Sequence, residues 1–471
     1  MLVLVAAVAV GNAAQSAVLA EGPHLFIDDF LIAKSRGLTR TTHQPERVPV
    51  PVLAEDRPVF YLKVLHDADL GRHRMWYNKM DPVLCYAYAE SWDGIAWSRP
   101  DVGLVEISGS KANNVIDAPR KSFGFFMVDE GRGYSPPARR YKIAFYKQKG
   151  GGIKATGMWV AFSADGMRFS EPAGGPVIPE YAADGTSVIS DIIEGVWDPF
   201  RSEYLVACKQ WGSGYPGKAG NAKDGMRRVV GLTTSKDFIS WEKPVTIVRP
   251  DPANGMEEFY GFKPLMRGNL YLGFLRVLRD DLPADRDGPV QGIGWTELMT
   301  SRDGRNWLRH RDRFLDRDPR TGEWDHAMAW YADCLTVGDQ EYIYYGGYST
   351  GHKGGERKLG LGILRKNGFV SRDAGREGGT LTTPPVALAG RSLLVNANVR
   401  DELRVRLIDA RGQALPGFDW PDCIPLRGDS VSHRLAWRGG SRMPAGDRVS
   451  IEFSLRNAEL YGFDLEPAKN E

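Results

Sequence analysis

Apolar and polar residues alternate with a period near two along most of the chain, in short runs separated by Gly, Pro and Asp. Such alternation predicts half-buried β-strands bounded by turns. From Phe60 onward, "FYLKVLHD", "RHRMWYN", "VLCYAYAES" and "IAWS" form one group of four strands. "SFGFFMVD", "RRYKIAFYK", "GMWVAFSA" and "RFSE" form a second, and "DIIEGVWD", "EYLVACKQ", "RRVVGLTTS" and "ISWE" a third. "EFYGFKPLM", "NLYLGFLRV", "GIGWTELMTS" and "NWLR" make a fourth, whereas a fifth, "HAMAWYADCLTV", "EYIYYGGY" and "KLGLGILR", stops one strand short.

Between the third and fourth strands of each complete group stands one recurring phrase. It reads "SWDGIAWSRP" from Ser91, "SADGMRFSEP" from Ser163, "SKDFISWEKP" from Ser235 and "SRDGRNWLRH" from Ser301. Its aspartates, Asp93, Asp165, Asp237 and Asp303, lie 72, 72 and 66 residues apart. A period of this length marks a repeat architecture, and four strands per repeat is the pattern of a propeller blade. The phrase itself predicts a tight hairpin: Asp-Gly supplies positive φ angles, and the aromatic residue four positions after the aspartate plugs the gap to a neighbouring blade.

The expected fold class is therefore all-β, a five-bladed β-propeller followed by a C-terminal β-sandwich. An unpaired edge on the short fifth group is a liability that closed architectures remove. "HLFIDDFLI", from His24 to Ile32, is a free strand that can supply the missing partner. After Gly378 short alternating runs such as "DELRVRLIDARGQALPGF" and "DRVSIEFSLRNAELYGFDL" predict the sandwich. The expected divisions are residues 1–20 as a leader, 21–375 as the propeller and 376–471 as the sandwich.

Composition narrows the partners. The 61 basic and 59 acidic side chains leave a formal charge of +2, so no global field argues for nucleic acid or an anionic membrane. Cys85, Cys208, Cys334 and Cys423 are far apart, which fits neither a CxxC metal site nor a disulfide framework, and they read as buried thiols. "MLVLVAAVAVGNAAQSAVLAEG" has the apolar run and small residues of a signal peptide without the usual positive charge before it. The expected location is secreted or periplasmic. An aromatic content of 11% suits both sheet packing and stacking on sugar faces.

The phrased repeats with an attached sandwich resemble the five-bladed propeller glycoside hydrolases, the group that includes families 32, 43, 68 and 117. "HLFIDDFLI", "SWDGIAWSRPDVGLVEISGSKANNVI", "VGDQEYIYYGGYSTGH" and "RNAELYGFDL" are similar to a set of secreted proteins of polysaccharide-degrading bacteria described as family-32-like. The resemblance covers nearly the whole chain. It implies a glycosidase acting on a plant or algal polysaccharide or oligosaccharide, with carboxylates at the mouth of a central funnel. It also allows calcium in the channel, while no cofactor is required. The invertase-like Trp-Met-Asn-Asp-Pro phrase is absent, as are the Arg-Asp-Pro and Glu-Cys phrases, so fructosidase activity is not implied. A non-catalytic carbohydrate-binding propeller is the alternative, because propellers host many functions.

In such a propeller the first strand of each blade lines the channel, and polar residues at the starts of these strands converge. That filter selects Asp191, Glu258 and Asp325 as catalytic candidates. Glycoside hydrolysis uses two carboxyl groups, one protonated as acid and one ionised as nucleophile or base. Glu258, hemmed in by Phe259 and Tyr260, is the expected acid, because desolvation raises a carboxyl pKa. Which of Asp191 and Asp325 serves as nucleophile or base is left open. Arg57, Glu257, Tyr260, His326, Lys209, Trp211 and His352 are expected to contact substrate, and no metal ligands are assigned. The four phrase aspartates fall in outer hairpins and are excluded from the channel. Oligomeric state is not legible.

Overall fold

The computed structural model describes residues 19, 22–54, 58–80, 84–148, 156–220, 222–352, 354–388, 391–444 and 448–466. The expected leader, apart from Leu19, and Arg57 lie outside the described residues. The described chain is built of β-strands with short 3-10 turns at Pro137–Arg139 and Pro252–Asn254. It divides into two compact units, one of Met1–Thr41, Arg267–Asn269 and Val370–Glu471, the other of Thr42–Met266 and Leu270–Phe369.

The larger unit is a succession of antiparallel meanders. Pro58–Asp67, Arg72–Lys79 and Cys85–Ser91 form the first sheet, and Ser122–Asp129, Tyr141–Lys147, Gly157–Ser163 and Ile178–Pro179 the second. Ile193–Asp198, Glu203–Ser213, Met226–Ser235 and Val245–Val248 form the third. Glu258–Arg267, Leu270–Arg279, Ile293–Ser301 and Leu308–Leu315 make the fourth set, and Met328–Val337, Gln340–Tyr348 and Arg357–Arg365 the fifth. A single parallel bridge, Gly294 to Met328, links the last two into one sheet.

Each recurring phrase is a hairpin closed on itself and pressed against another sheet. Ser91 Oγ accepts from Gly94 N at 2.9 Å, and Asp93 Oδ1 accepts from the amides of Ile95 and Ala96 at 2.8 Å each. Gly94 has φ 75°, Gly166 φ 74° and Gly304 φ 69°, while the third phrase places Phe238 there at φ 67°. That conformation costs a non-glycine residue about 1–2 kcal/mol. The phrase of the second sheet accepts a hydrogen bond at Gly166 O from Trp76 of the first, at 2.7 Å. Phe238 of the third lies 4.9 Å from Tyr204 in its own sheet and 6.0 Å from Phe126 in the second. Arg305 of the fourth reaches Glu203 of the third at 3.3 Å. Gly94 O of the first accepts from Tyr344 of the fifth at 2.6 Å. The order of contacts therefore returns to its start.

Buried ion pairs cross between the sets. Arg276 holds Glu194 through two 2.7 Å hydrogen bonds and donates to Tyr331 O at 2.7 Å. Asp333 accepts from Val64 N at 2.9 Å and pairs with Lys63 at 3.3 Å and Lys263 at 3.8 Å.

The strand that completes the fifth set corrects the expectation from sequence. His24–Leu25 pairs with Phe463 and Gly462 of the C-terminal strand instead. Phe26 and Leu31 are buried beside Phe453 and Phe463, so this stretch belongs to the smaller unit's core. The partner of Arg357–Arg365 is Glu46–Arg47, continued by Val48 N donating to Leu361 O at 2.8 Å. The smaller unit is otherwise one sheet built around the long strands Ser392–Ile408 and Ser450–Glu466, with apolar residues buried along them. Cys85, Cys208 and Cys423 are buried and Cys334 is half-buried.

Candidate active site

At one end of the third and fourth sheets, strand alternation gathers an aromatic and ionic cluster. Lys209 and Trp211 lie two residues apart on Glu203–Ser213 and so share a face. Arg228 stands directly opposite Trp211 in the antiparallel register. Its guanidinium lies 5.0 Å from the Trp211 ring centroid, and the Lys209 ammonium lies 5.6 Å from it. Both cations also face Tyr260, at 5.4 Å and 5.3 Å. Tyr260 stacks on Trp330 at 4.5 Å and meets His352 edge-on at 5.0 Å.

Asp191 precedes the inner strand of the third sheet and forms an ion pair with Lys209. Gly124 lets the chain pass here, since a Cβ on it would come within 2.7 Å of Asp191 O. The Asp191 side chain is 31% exposed, the Lys209 side chain 5%. Burial works against ionisation of Asp191, but the Lys209 ammonium and, beyond it, Arg228 outweigh it and hold the carboxyl below its ordinary value.

Glu258 and Glu257 point to opposite sides of their strand. Glu257 leaves the cluster and pairs with Arg309 at 2.8 Å, so its expected contact with substrate is not what the structure provides. Glu258 enters the cluster but is completely enclosed: one oxygen accepts from Arg228 N at 3.1 Å, and the other meets the Arg228 guanidinium. Burial raises its pKa despite Arg228. The expectation of an acid presented to substrate is corrected here, because a carboxyl with no exposed surface and both oxygens on Arg228 serves to position that arginine. Arg228 also lies 3.9 Å from Asp280, whose Oδ1 is 2.8 Å from His352 Nδ1. Burial outweighs the Asp280 contact and lowers the His352 pKa, which keeps the imidazole neutral near pH 7.

Asp325 is not part of this cluster. It accepts from Tyr345 at 2.9 Å and pairs with Arg47 at 3.3 Å. Tyr345 points to the face of its strand opposite Tyr344 and Tyr348, and Asp325 goes with it. His326 likewise bonds Asp285 at 2.9 Å and Asp318 O at 2.8 Å. A position at the start of an inner strand therefore did not ensure an inward side chain; one residue of register decides it.

The residue that the strand-start filter misses is Glu180. It follows the short outer strand Ile178–Pro179, away from the inner strands, and is half-buried. Burial raises its pKa, the hydroxyls of Tyr146 and Tyr181 work against that rise by hydrogen bonding, and the charges of Asp191 and Lys209 act on it as well. The pair "EY" after Ile-Pro is the one local signal for it. On the inner strands Glu194 is paired with Arg276, and Asp333 with Lys63 and Lys263, so neither carboxylate is left as a ready cation ligand. No group of three or more metal-ligating side chains occurs among the described residues.

No family model matches the chain, and no curated protein matches it. Similar solved structures include an RGII complex of a protein named BT0996, at 13% identity and TM-score 0.45, covering 74% of this chain and 92% of that one. An N-acetylgalactosamine deacetylase from F. plautii in complex with blood group B trisaccharide is 16% identical, with TM-score 0.43 and coverage of 74% and 95%. A GH32 β-fructofuranosidase from Bombyx mori is 11% identical, with TM-score 0.42 and coverage of 90% and 95%.

Proposed function

We propose that the chain is a secreted glycoside hydrolase whose five antiparallel sets are the blades of a propeller, with the Tyr260 cluster at its mouth. The cyclic order of the hairpin contacts supports the ring: each phrase packs on the preceding set, and the first packs on the fifth. The observation that carries the activity is the pair Asp191 and Glu180. The charge of Asp191 acts on Glu180, and the two partly exposed carboxyl groups differ in protonation, Asp191 held ionised by Lys209 and Glu180 drawn toward its protonated form by burial. This is the division that glycosidic cleavage requires.

Asp191 acts as nucleophile or as base toward water, and Glu180 protonates the leaving oxygen. Trp211 offers a flat face on which a sugar ring stacks. Glu258 and Asp280 fix Arg228, which together with Lys209 sets the field in which Asp191 stays charged. The substrate is an oligosaccharide or polysaccharide.

Purified full-length protein assayed on a glycan panel tests the reading. Asp191→Asn should lower kcat by about 10³-fold, near 4 kcal/mol, on every substrate that the wild type cleaves. Glu180→Gln should lower kcat on poor leaving groups far more than on aryl glycosides and should abolish the fall of activity on the alkaline side of the pH profile. The sign follows from the raised pKa, since the proton Glu180 donates is lost only as pH rises through it. Wild-type activity retained in both variants would defeat the assignment, and glycan binding without any turnover would favour the binding-protein alternative.

A further inference from the structure

Among the described residues, six charged side chains either lie on these aromatic rings or pair with a cation that does, and five are matched: Lys209 with Asp191, and Arg228 with Glu258 and Asp280. The sixth is Arg357. It opens the strand Arg357–Arg365, directly opposite Tyr348, and its guanidinium carbon lies 4.9 Å from the Tyr348 ring centroid. Its other contact is a 3.9 Å approach of Nη1 to Met80 Sδ. No carboxylate pairs with it among the described residues. Tyr348 is 5.5 Å from Trp330, which stacks on Tyr260, so one run of aromatic rings joins Arg357 to the cations beside Asp191.

The contrast between matched and unmatched cations follows burial. Lys209 and Arg228 are enclosed, and an enclosed charge without a partner costs several kcal/mol, so each has one. Arg357 is half-buried, keeps access to water and stacks on a rigid ring that orients its plane. A planar guanidinium in this state presents paired N–H donors of the spacing that a carboxylate or a sulfate accepts. The side-chain freedom lost on binding is small, because stacking has already removed part of it. His352, on the same ring system, is kept neutral by burial and so adds no second cation that would draw an anion away from Arg357.

We propose that Arg357, stacked on Tyr348, receives an anionic substituent, a carboxylate or a sulfate ester, of the glycan bound at the mouth. This rests on the reading of the mouth as a sugar site, and it makes the substrate an acidic glycan rather than a neutral one.

Calorimetric binding of the full chain to matched oligosaccharides that are neutral, uronate-bearing or sulfate-bearing tests it without requiring turnover. Wild type should bind at least one anionic member tenfold or more tightly than the neutral one, and added NaCl should reduce that preference. Arg357→Ala should abolish the preference and leave neutral binding within about twofold, whereas Arg357→Lys should keep part of it as a point charge. The arm that retains affinity tells carboxylate from sulfate. Equal affinity for all three ligands, binding of none, or preference surviving in Arg357→Ala with an unchanged thermal transition would overturn the proposal. Charge preference without cleavage would uphold Arg357 and remove the hydrolytic reading, while cleavage without charge preference would do the reverse.

Discussion

The hairpin aspartates and the carboxylates of the Tyr260 cluster solve the same problem by different means. Asp93, Asp165, Asp237 and Asp303 each bind amides two and three residues ahead in their own turn. Asp191, Glu258 and Asp280 are instead answered by Lys209, Arg228 and His352, from other strands and in part from another set. A carboxylate satisfied by its own turn is indifferent to what surrounds it, whereas one answered by a distant cation depends on the assembled sheets. The first kind builds the repeat. The second kind is only as firm as the cation that answers it.

The comparison breaks most sharply at Arg228. Replacing it by Leu strands Glu258, whose side chain has no exposed surface, and removes the cation 3.9 Å from Asp280, and the loss should be about 3–5 kcal/mol in urea unfolding. Glu258 is raised by burial in the intact protein, and without Arg228 that rise should grow. A raised acid is proton-bound more in the folded than in the unfolded state, so the variant should recover stability as pH falls toward the ordinary glutamate range. If Arg228→Leu is no less stable than wild type, the cluster is not an interdependent network.

Phe238 tests the hairpins as packing devices. Glycine there would relieve about 1–2 kcal/mol of left-handed strain, but it would remove a fully buried ring that contacts Phe126, Phe162, Tyr204 and Trp241. Loss of such a ring costs about 3–5 kcal/mol, so Phe238→Gly should be destabilising by about 2–3 kcal/mol in thermal or urea unfolding. A neutral or stabilising result would mean that the phrase serves the turn alone.

The smallest effect belongs to Asp237. Burial opposes its ionisation, but the amides of Ile239 and Ser240 outweigh it and bring the carboxyl to about 2. Because this pKa is depressed, its stabilisation is present above about pH 4 and is lost as pH falls from about 4 to about 2. After allowance for solvent screening, Asp237→Ala should cost about 1 kcal/mol near neutral pH and nothing further once the carboxyl is protonated. The two carboxylates bend the stability curve in opposite directions, Asp237 of wild type losing stability as pH falls from about 4 to about 2 and Glu258 of Arg228→Leu gaining it as pH falls toward about 4, and contributions of the same sign would erase the distinction between the two kinds of carboxylate.

The strands, the repeat, the four hairpins and the change of character after Gly378 were legible because each rests on contacts close in sequence: alternation places side chains on faces, and Ser-x-Asp-Gly closes a turn on its own amides. The pairing of Lys209 with Trp211 on one face, and the divergence of Glu257 from Glu258, follow from the same periodicity. What alternation does not carry is which face meets which neighbour. Asp325 and His326 stood at the expected strand start and still turned away with Tyr345. His24–Leu25 had the pattern of a closing strand but found a deeper apolar partner in Phe453 and Phe463, leaving Glu46–Arg47 to complete the fifth set. Glu180 acquires its meaning only beside Asp191, Tyr146 and Tyr181, none of which its local sequence specifies except the last. Local hydrogen bonding and periodicity are properties of neighbours along the chain; ion pairing, desolvation and the choice of inward face are properties of neighbours in space, and those only the folded sheets decide.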